Sequence, residues 1–306
     1  MRKIIALLVL VLLVSGCTGL PGFNIFGQKE EVKEMPEDVI SVENINVLPA
    51  PPIIAGDQFS LSFNIVNYEE DDPVYDVSYR VLDAGLCGDP ITGLKSRTFV
   101  DPFVPGQVEF VEWTFKTPIS QDIAYIKTAC PVRFKVSYSY FSESEIEVNV
   151  ISSERYTQLQ QAGEFTTFIP TLTVGRGPIK IYMELGAALP IRTGSILPVY
   201  ITVQNKGSGL FDEVAQGELF LGIPGGFDVI ESDCAAMGPS GYAGYYTNID
   251  SIPLVGKKTY KIKCSLMVPG EDKVDIEQTY FLNAYFHSYV YEVLKEVSVN
   301  VNPLTA

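Results

Sequence analysis

Few residues in this chain combine the type and the spacing that chemistry requires. His287 is the only histidine, in Tyr285-Phe286-His287-Ser288-Tyr289. Hydrolysis by a nucleophile needs a base within bonding reach and an acid to orient that base. The sequence alternates here as a strand does, which predicts that Ser288 points to the sheet face opposite its neighbour. No serine stands in Gly-x-Ser-x-Gly, and no phosphate- or dinucleotide-binding glycine pattern follows a strand. Paired carboxylates for glycoside hydrolysis are set by distance in space, so nothing in the spacing points to them. Glu69-Glu70-Asp71-Asp72 could offer oxygens to calcium, but it lacks the spaced acidic loop pattern and reads as a solvated turn. The thiols have no close metal-ligand spacing. No metal, cofactor or catalytic residue is therefore expected. Tyr242, Tyr245 and Tyr246 lie in a segment rich in glycine and tyrosine, residues 239–248. Such rings give flat contact area with a polar handle, which suits recognition of protein or carbohydrate.

Those tyrosines need a scaffold, and the scaffold reads as strands. Phe59, Leu61, Phe63 and Ile65 alternate with smaller or polar residues. Residues 108–115, 134–140 and 144–150 do the same, with turn residues at 55–57, 69–73, 88–90 and 105–106. Hydrophobic content of 46% with 19% charged residues excludes a disordered chain. With 37 acidic against 22 basic residues the formal net charge is −15, which argues against nucleic acid as a partner.

The plan occurs twice. Gly56 leads through an alternating run to Asn67, and Gly194 leads through another of equal length to Asn205. Val104-Pro105-Gly106 is matched by Leu254-Val255-Gly256, Pro118 by Pro269, and Val148-Asn149-Val150 by Val299-Asn300-Val301. Repeated order of this kind indicates an internal duplication. It divides the chain into one β-sandwich domain over 40–151, a linker over 152–177, and a second over 178–303. Within the linker, residues 154–162 favour a short helix, with Ser152 or Ser153 as cap and Gly163 as stop.

The amino terminus carries an address. Arg2-Lys3 precedes eleven apolar residues, Ile4 to Val14, a length for a signal-peptide core and not for a span of about 20 residues. Leu13-Val14-Ser15-Gly16-Cys17 resembles the lipobox of prokaryotic lipoproteins. The resemblance implies that residues 1–16 are removed and that Cys17 carries lipid. Residues 17–39 then form a tether, and the protein sits on the outer face of the cell membrane. With Cys17 set aside, four cysteines remain, an even number in an oxidising compartment. Cys87 and Cys130 fall in the first half, Cys234 and Cys264 in the second, and the division predicts those two disulfides.

Glycine, an alternating strand, an asparagine at Asn67 or Asn205 and a polar turn (Asn205-Lys206-Gly207-Ser208-Gly209) resemble the CARDB-like, immunoglobulin-like surface-adhesion modules of exported prokaryotic proteins, archaeal ones among them. The resemblance implies an all-β fold of two tandem immunoglobulin-like β-sandwich domains used for display and adhesion. The function expected is a non-catalytic, lipid-anchored structural or recognition role at the cell surface, with a protein or carbohydrate partner. The alternatives are an accessory subunit of a secretion or pilus-like assembly, or an exported hydrolase with its site at the domain junction.

Overall fold

A computed structural model describes residues 37–304, except 120, 124 and 255–258. The expected signal peptide, Cys17 and most of the tether lie outside the described residues. In chain order the first half contains β1 (Ile40–Leu48), β2 (Ile53–Ile54), β3 (Gln58–Asn67), β4 (Tyr75–Asp83), β5 (Ser96–Thr98), β6 (Val108–Lys116) and β7 (Thr128–Ile151). A helix, α1 (Ser153–Ala162), follows. The second half contains β8 (Leu172–Val174), β9 (Ile179–Leu185), β10 (Ile191–Arg192), β11 (Ile196–Asn205), β12 (Glu213–Val214), β13 (Leu219–Gly222) and β14 (Asp228–Val229). It ends with β15 (Met237–Pro239), β16 (Tyr245–Asn248), β17 (Ile252–Pro253), β18 (Thr259–Met267) and β19 (Glu277–Asn302).

The duplicated segments are β3 and β11, ten residues each, with the same alternation of buried and exposed positions. Each is the centre of a small antiparallel sheet, β1-β3-β6 in one half and β9-β11-β18, extended by β14, in the other. Apolar residues at every second position bury one face of each. Asn67 ends β3 by accepting from the Glu69 N–H at 2.8 Å and donating to the carbonyls of Phe103 and Val104. Asn205 ends β11 by donating to the Gly209 carbonyl at 3.2 Å. Trp113 on β6 is fully buried against Phe63 and Phe134, its indole N–H on the Leu94 carbonyl at 2.8 Å.

The expectation of two tandem immunoglobulin-like β-sandwich domains is corrected here. The fold is mostly β, in sheets of three, ten, four and two strands, and none is closed into a sandwich or barrel. The reason is the length of two strands. Residues 134–140 and 144–150 read in sequence as separate strands, yet they are one, the 24-residue β7. It pairs antiparallel with the 26-residue β19 from Thr128↔Val301 to Ile151↔Glu277. Phe141-Ser142-Glu143 lies in extended conformation between them and makes no turn.

Each long strand therefore serves both halves. The start of β7 packs on the first small sheet, with Phe63 stacked on Phe134 at 4.5 Å between centroids. Its end runs beside β9 and takes β10 as a parallel partner at Val150 and Ile151. In the mirror arrangement, the end of β19 takes β2 at Val301 and Asn302. One ten-stranded sheet, β15-β16-β13-β19-β7-β4-β5 with β2, β8 and β10 attached, results. The described residues fall in one compact unit.

Midway along the β7–β19 ladder, the interior is lined with tyrosine. Tyr138 faces Tyr291 and Tyr140 faces Tyr289 across the β7–β19 ladder. Three of the four hydroxyls are bonded within the fold: Tyr140 donates to Glu69, Tyr291 donates to Asn205 Oδ1 at 3.0 Å, and Tyr289 shares a bond with Ser142 Oγ at 3.0 Å, while the Tyr138 hydroxyl is buried without a hydrogen-bond partner among the described residues. Burial pushes the pKa of each of these three phenols well above the ordinary value of 10, so they stay neutral donors. Asp38, at the entry to β1, accepts from Ser208 N–H at 3.0 Å and from its hydroxyl, which pins the start of the fold to the second half.

Helix α1 has the cap that its sequence offers. Ser152 Oγ accepts from the Arg155 N–H at 3.2 Å, and Gly163 ends the helix in the left-handed region at φ 70°. The structure contains the disulfides Cys87–Cys130 and Cys234–Cys264, closing loops of 43 and 30 residues.

Candidate functional site

The three tyrosines of the 239–248 segment part company in the structure. Tyr242 sits at a turn bracketed by Ser240 and is 69% exposed. Tyr245 and Tyr246 are consecutive on β16 and so face opposite ways. Tyr246 packs against the core. Tyr245 stands on the outer face of the ten-stranded sheet, edge-on to Tyr285 with centroids 5.8 Å apart. Tyr285 in turn stacks on Phe220 at 4.9 Å and 11° between planes. Strand pairing explains the cluster: Phe220 on β13 lies directly opposite Tyr285 on β19, and Gly222 opposite Tyr245 on β16. Burial raises the pKa of the Tyr285 phenol, followed by the neighbouring hydroxyls of Tyr245 and Tyr242.

Beyond the aromatic ridge the face becomes acidic. Register places Tyr285 opposite Glu143, and Asn283 opposite Glu145, on β7; Glu145 is in turn opposite Thr173 on β8. Glu143, Glu145 and Glu147 all point outward along one strand, and among the described residues none is ion-paired. An open trough of about 290 Å³ runs between ridge and acids, lined by Glu143, Glu145, Thr173, Gly175, Asn283 and Tyr285. The Asn283 side chain in its wall needs a glycine at position 222. A Cβ at that position would meet Asn283 Oδ1 at 1.8 Å and Tyr245 Cε1 at 3.0 Å. The missing side chain is what leaves room for the Asn283 amide and the edge of the Tyr245 ring against the β13 backbone. Asn283 Oδ1 is buried there without a hydrogen-bond partner, so the amide nitrogen is the polar atom this side chain can offer.

Sequence reasoning found the tyrosine segment but missed Phe220, Asn283, Tyr285, Glu143 and Glu145. Alternation of Phe281, Asn283 and Tyr285, and of Glu143, Glu145 and Glu147, was legible as two outward rows. Their juxtaposition was not, because it rests on pairing strands about 140 residues apart.

His287 lies elsewhere. Phe286 and Tyr289 are both buried, and a β-bulge between them leaves His287 and Ser288 both exposed. The expected opposition of the two side chains is thus replaced by a shared exposure. His287 lines a pocket of about 450 Å³ with Asp72, Asp76, Ser139 and Tyr140. Ser139 Oγ donates to Asp76 Oδ2 at 2.8 Å, so the serine proton is held by a carboxylate and not by the imidazole. Among the described residues His287 has no hydrogen bond to an acid that would orient it, and the group does not form a nucleophile–base–acid relay. The acidic turn nearby is also engaged differently from a solvated one. Glu69 is buried and accepts from Tyr140, and Glu70 pairs with Arg176.

No protein family and no curated protein matches this chain. Among solved structures, the chitinase ChiA74 of Bacillus thuringiensis is 12% identical with a TM-score of 0.19, over 78% of this chain and 28% of that one. The C-terminal globular domain of an oligosaccharyltransferase from Pyrococcus abyssi is 10% identical with a TM-score of 0.21, over 88% and 50%. The chain thus spans half or less of the length of either, and likeness this slight carries neither fold nor function across.

Proposed function

We propose that this protein is a non-catalytic recognition protein of the cell exterior, held to the membrane through lipid on Cys17, with the outer face of the ten-stranded sheet as its binding surface. The observation that carries this reading is the ridge of Phe220, Tyr245 and Tyr285 beside the outward carboxylates of β7. Aromatic side chains bring large contact area at low entropic cost, and here a sheet fixed by the longest ladder in the fold holds them in place. The address rests on the lipobox-like sequence at 13–17 and on two disulfides, which persist in oxidising compartments.

The test is co-sedimentation of the purified protein with envelopes from cells lacking it. Wild type is expected to bind saturably, and a Phe220→Ala/Tyr285→Ala variant with unchanged far-UV circular dichroism to bind at least tenfold more weakly. Equal binding by the variant, or none by wild type, would refute the assignment of this face.

A further inference from the structure

The trough beside the aromatic ridge has a wall chemistry that narrows what it can hold. Its polar groups are mixed: the carboxylates of Glu143 and Glu145 accept, the Asn283 amide nitrogen donates, and the Thr173 hydroxyl does either. The Tyr285 ring supplies the apolar part of the wall. No lysine or arginine lines the trough. Lys180 comes close to its rim, with Nζ 3.2 Å from the Gly175 carbonyl, but its charge is met by Glu37 at 3.1 Å.

Each class of small ligand meets that wall differently. An anion would face two unneutralised carboxylates and no cation, so phosphate, sulfate and acidic sugars are disfavoured. An aliphatic ligand would strand the carboxylates and the amide without partners. A bare cation would be served by acceptors alone and would leave the Asn283 donor unused. A sugar ring satisfies all of them. Neighbouring hydroxyls both donate and accept, and the C–H face of the ring packs on an aromatic side chain. A volume of about 290 Å³ falls just below the roughly 300–1,000 Å³ usual for small-molecule pockets, which suits one or two sugar units.

The geometry points to a neutral-glycan site, with Tyr285 as the stacking ring and Glu143, Glu145 and Asn283 as the hydroxyl-binding groups. Glycan binding here presupposes that the sheet face is the recognition surface proposed above. The backbone beneath the site is paired before any ligand arrives. Gly175 N–H donates to the Glu143 carbonyl at 2.9 Å, and Thr173 is held in register with Glu145.

Isothermal titration of the purified full chain against neutral gluco-, manno-, galacto- and N-acetylglucosamine-oligosaccharides tests this. At least one series is expected to bind with a dissociation constant between micromolar and millimolar. Tyr285→Ala and the near-isosteric Glu145→Gln are each expected to weaken it tenfold or more, with unchanged melting temperature for Glu145→Gln. No binding by any series at millimolar sugar would overturn the inference, as would binding that survives both variants. Binding of a Lys/Arg-containing peptide in place of the sugars would also overturn it. If sugars fail while envelope binding still depends on Phe220 and Tyr285, the glycan assignment falls and the recognition reading stands. If neither depends on those residues, both fall.

Discussion

At Glu271 the sequence shows only an acidic residue after a Pro-Gly turn. In the structure its carboxylate accepts from Ser153 N–H at 2.8 Å and from the Thr193 hydroxyl. Hydrogen bonds from Ser153 and Thr193 hold its pKa below the ordinary 4.5. A depressed folded-state pKa contributes stability above the unfolded value and loses it as the pH falls through the folded value. Glu271→Gln is therefore expected to flatten the decline in melting temperature between about pH 5 and pH 2 relative to wild type, as read by thermal melts across that range. A parallel decline in both proteins would reject the linkage. Gly207 makes a second residue-scale case. A Cβ there would approach Asp38 Oδ1, the Tyr291 hydroxyl and Pro178 Cβ within 2.2–2.5 Å. Gly207→Ala is expected to cost about 1–3 kcal/mol in urea unfolding, the range for forcing atoms into a packed site. An unchanged midpoint would show that the packing around Gly207 can relax. At Cys17, incorporation of an alkyne fatty acid should be seen in wild type and lost in Cys17→Ser; label retained by the variant would contradict the anchor.

Among the elements, the disulfides and the long strands matter most. Each disulfide joins segments of its own half, Cys130 at the start of β7 to the turn after β4, and Cys264 on β18 to the turn after β14. On the loop-closure account, removing either is expected to cost about 3–4 kcal/mol for loops of this length. Cys130→Ser with Cys87→Ser, measured by urea melts, should show that loss, and a loss under about 1 kcal/mol would mean that ladder pairing alone fixes these turns. Much at this scale was legible in the sequence. The Gly56-to-Asn67 and Gly194-to-Asn205 runs became β3 and β11 because apolar alternation with period two can bury only one face of a strand. The cap at Ser152 and the stop at Gly163 were legible because both are local hydrogen-bond problems. Continuity through Phe141-Ser142-Glu143 was not. Polar residues there resemble a turn, and what keeps them extended is the facing strand β19.

For the whole molecule, β7 and β19 decide the outcome. Because each contributes to both halves, unfolding one half strips hydrogen-bond partners from the other. Scanning calorimetry is expected to give a single transition whose calorimetric and van't Hoff enthalpies agree; two separable transitions would show that the halves unfold independently. The sequence by itself determined the β class, the duplicated strand plan, the halves in which the cysteines fall, and the turn chemistry of Asn67 and Asn205. All of these follow from local periodicity or from counting, and need no knowledge of which strand meets which. Only the tertiary structure decided that the sheets remain unclosed, that the two halves share one sheet, and that Phe220, Asn283 and Tyr285 stand beside Glu143 and Glu145. Those depend on pairing between residues far apart in the chain, where a strand's own alternation says which face is buried but not which neighbour it will have.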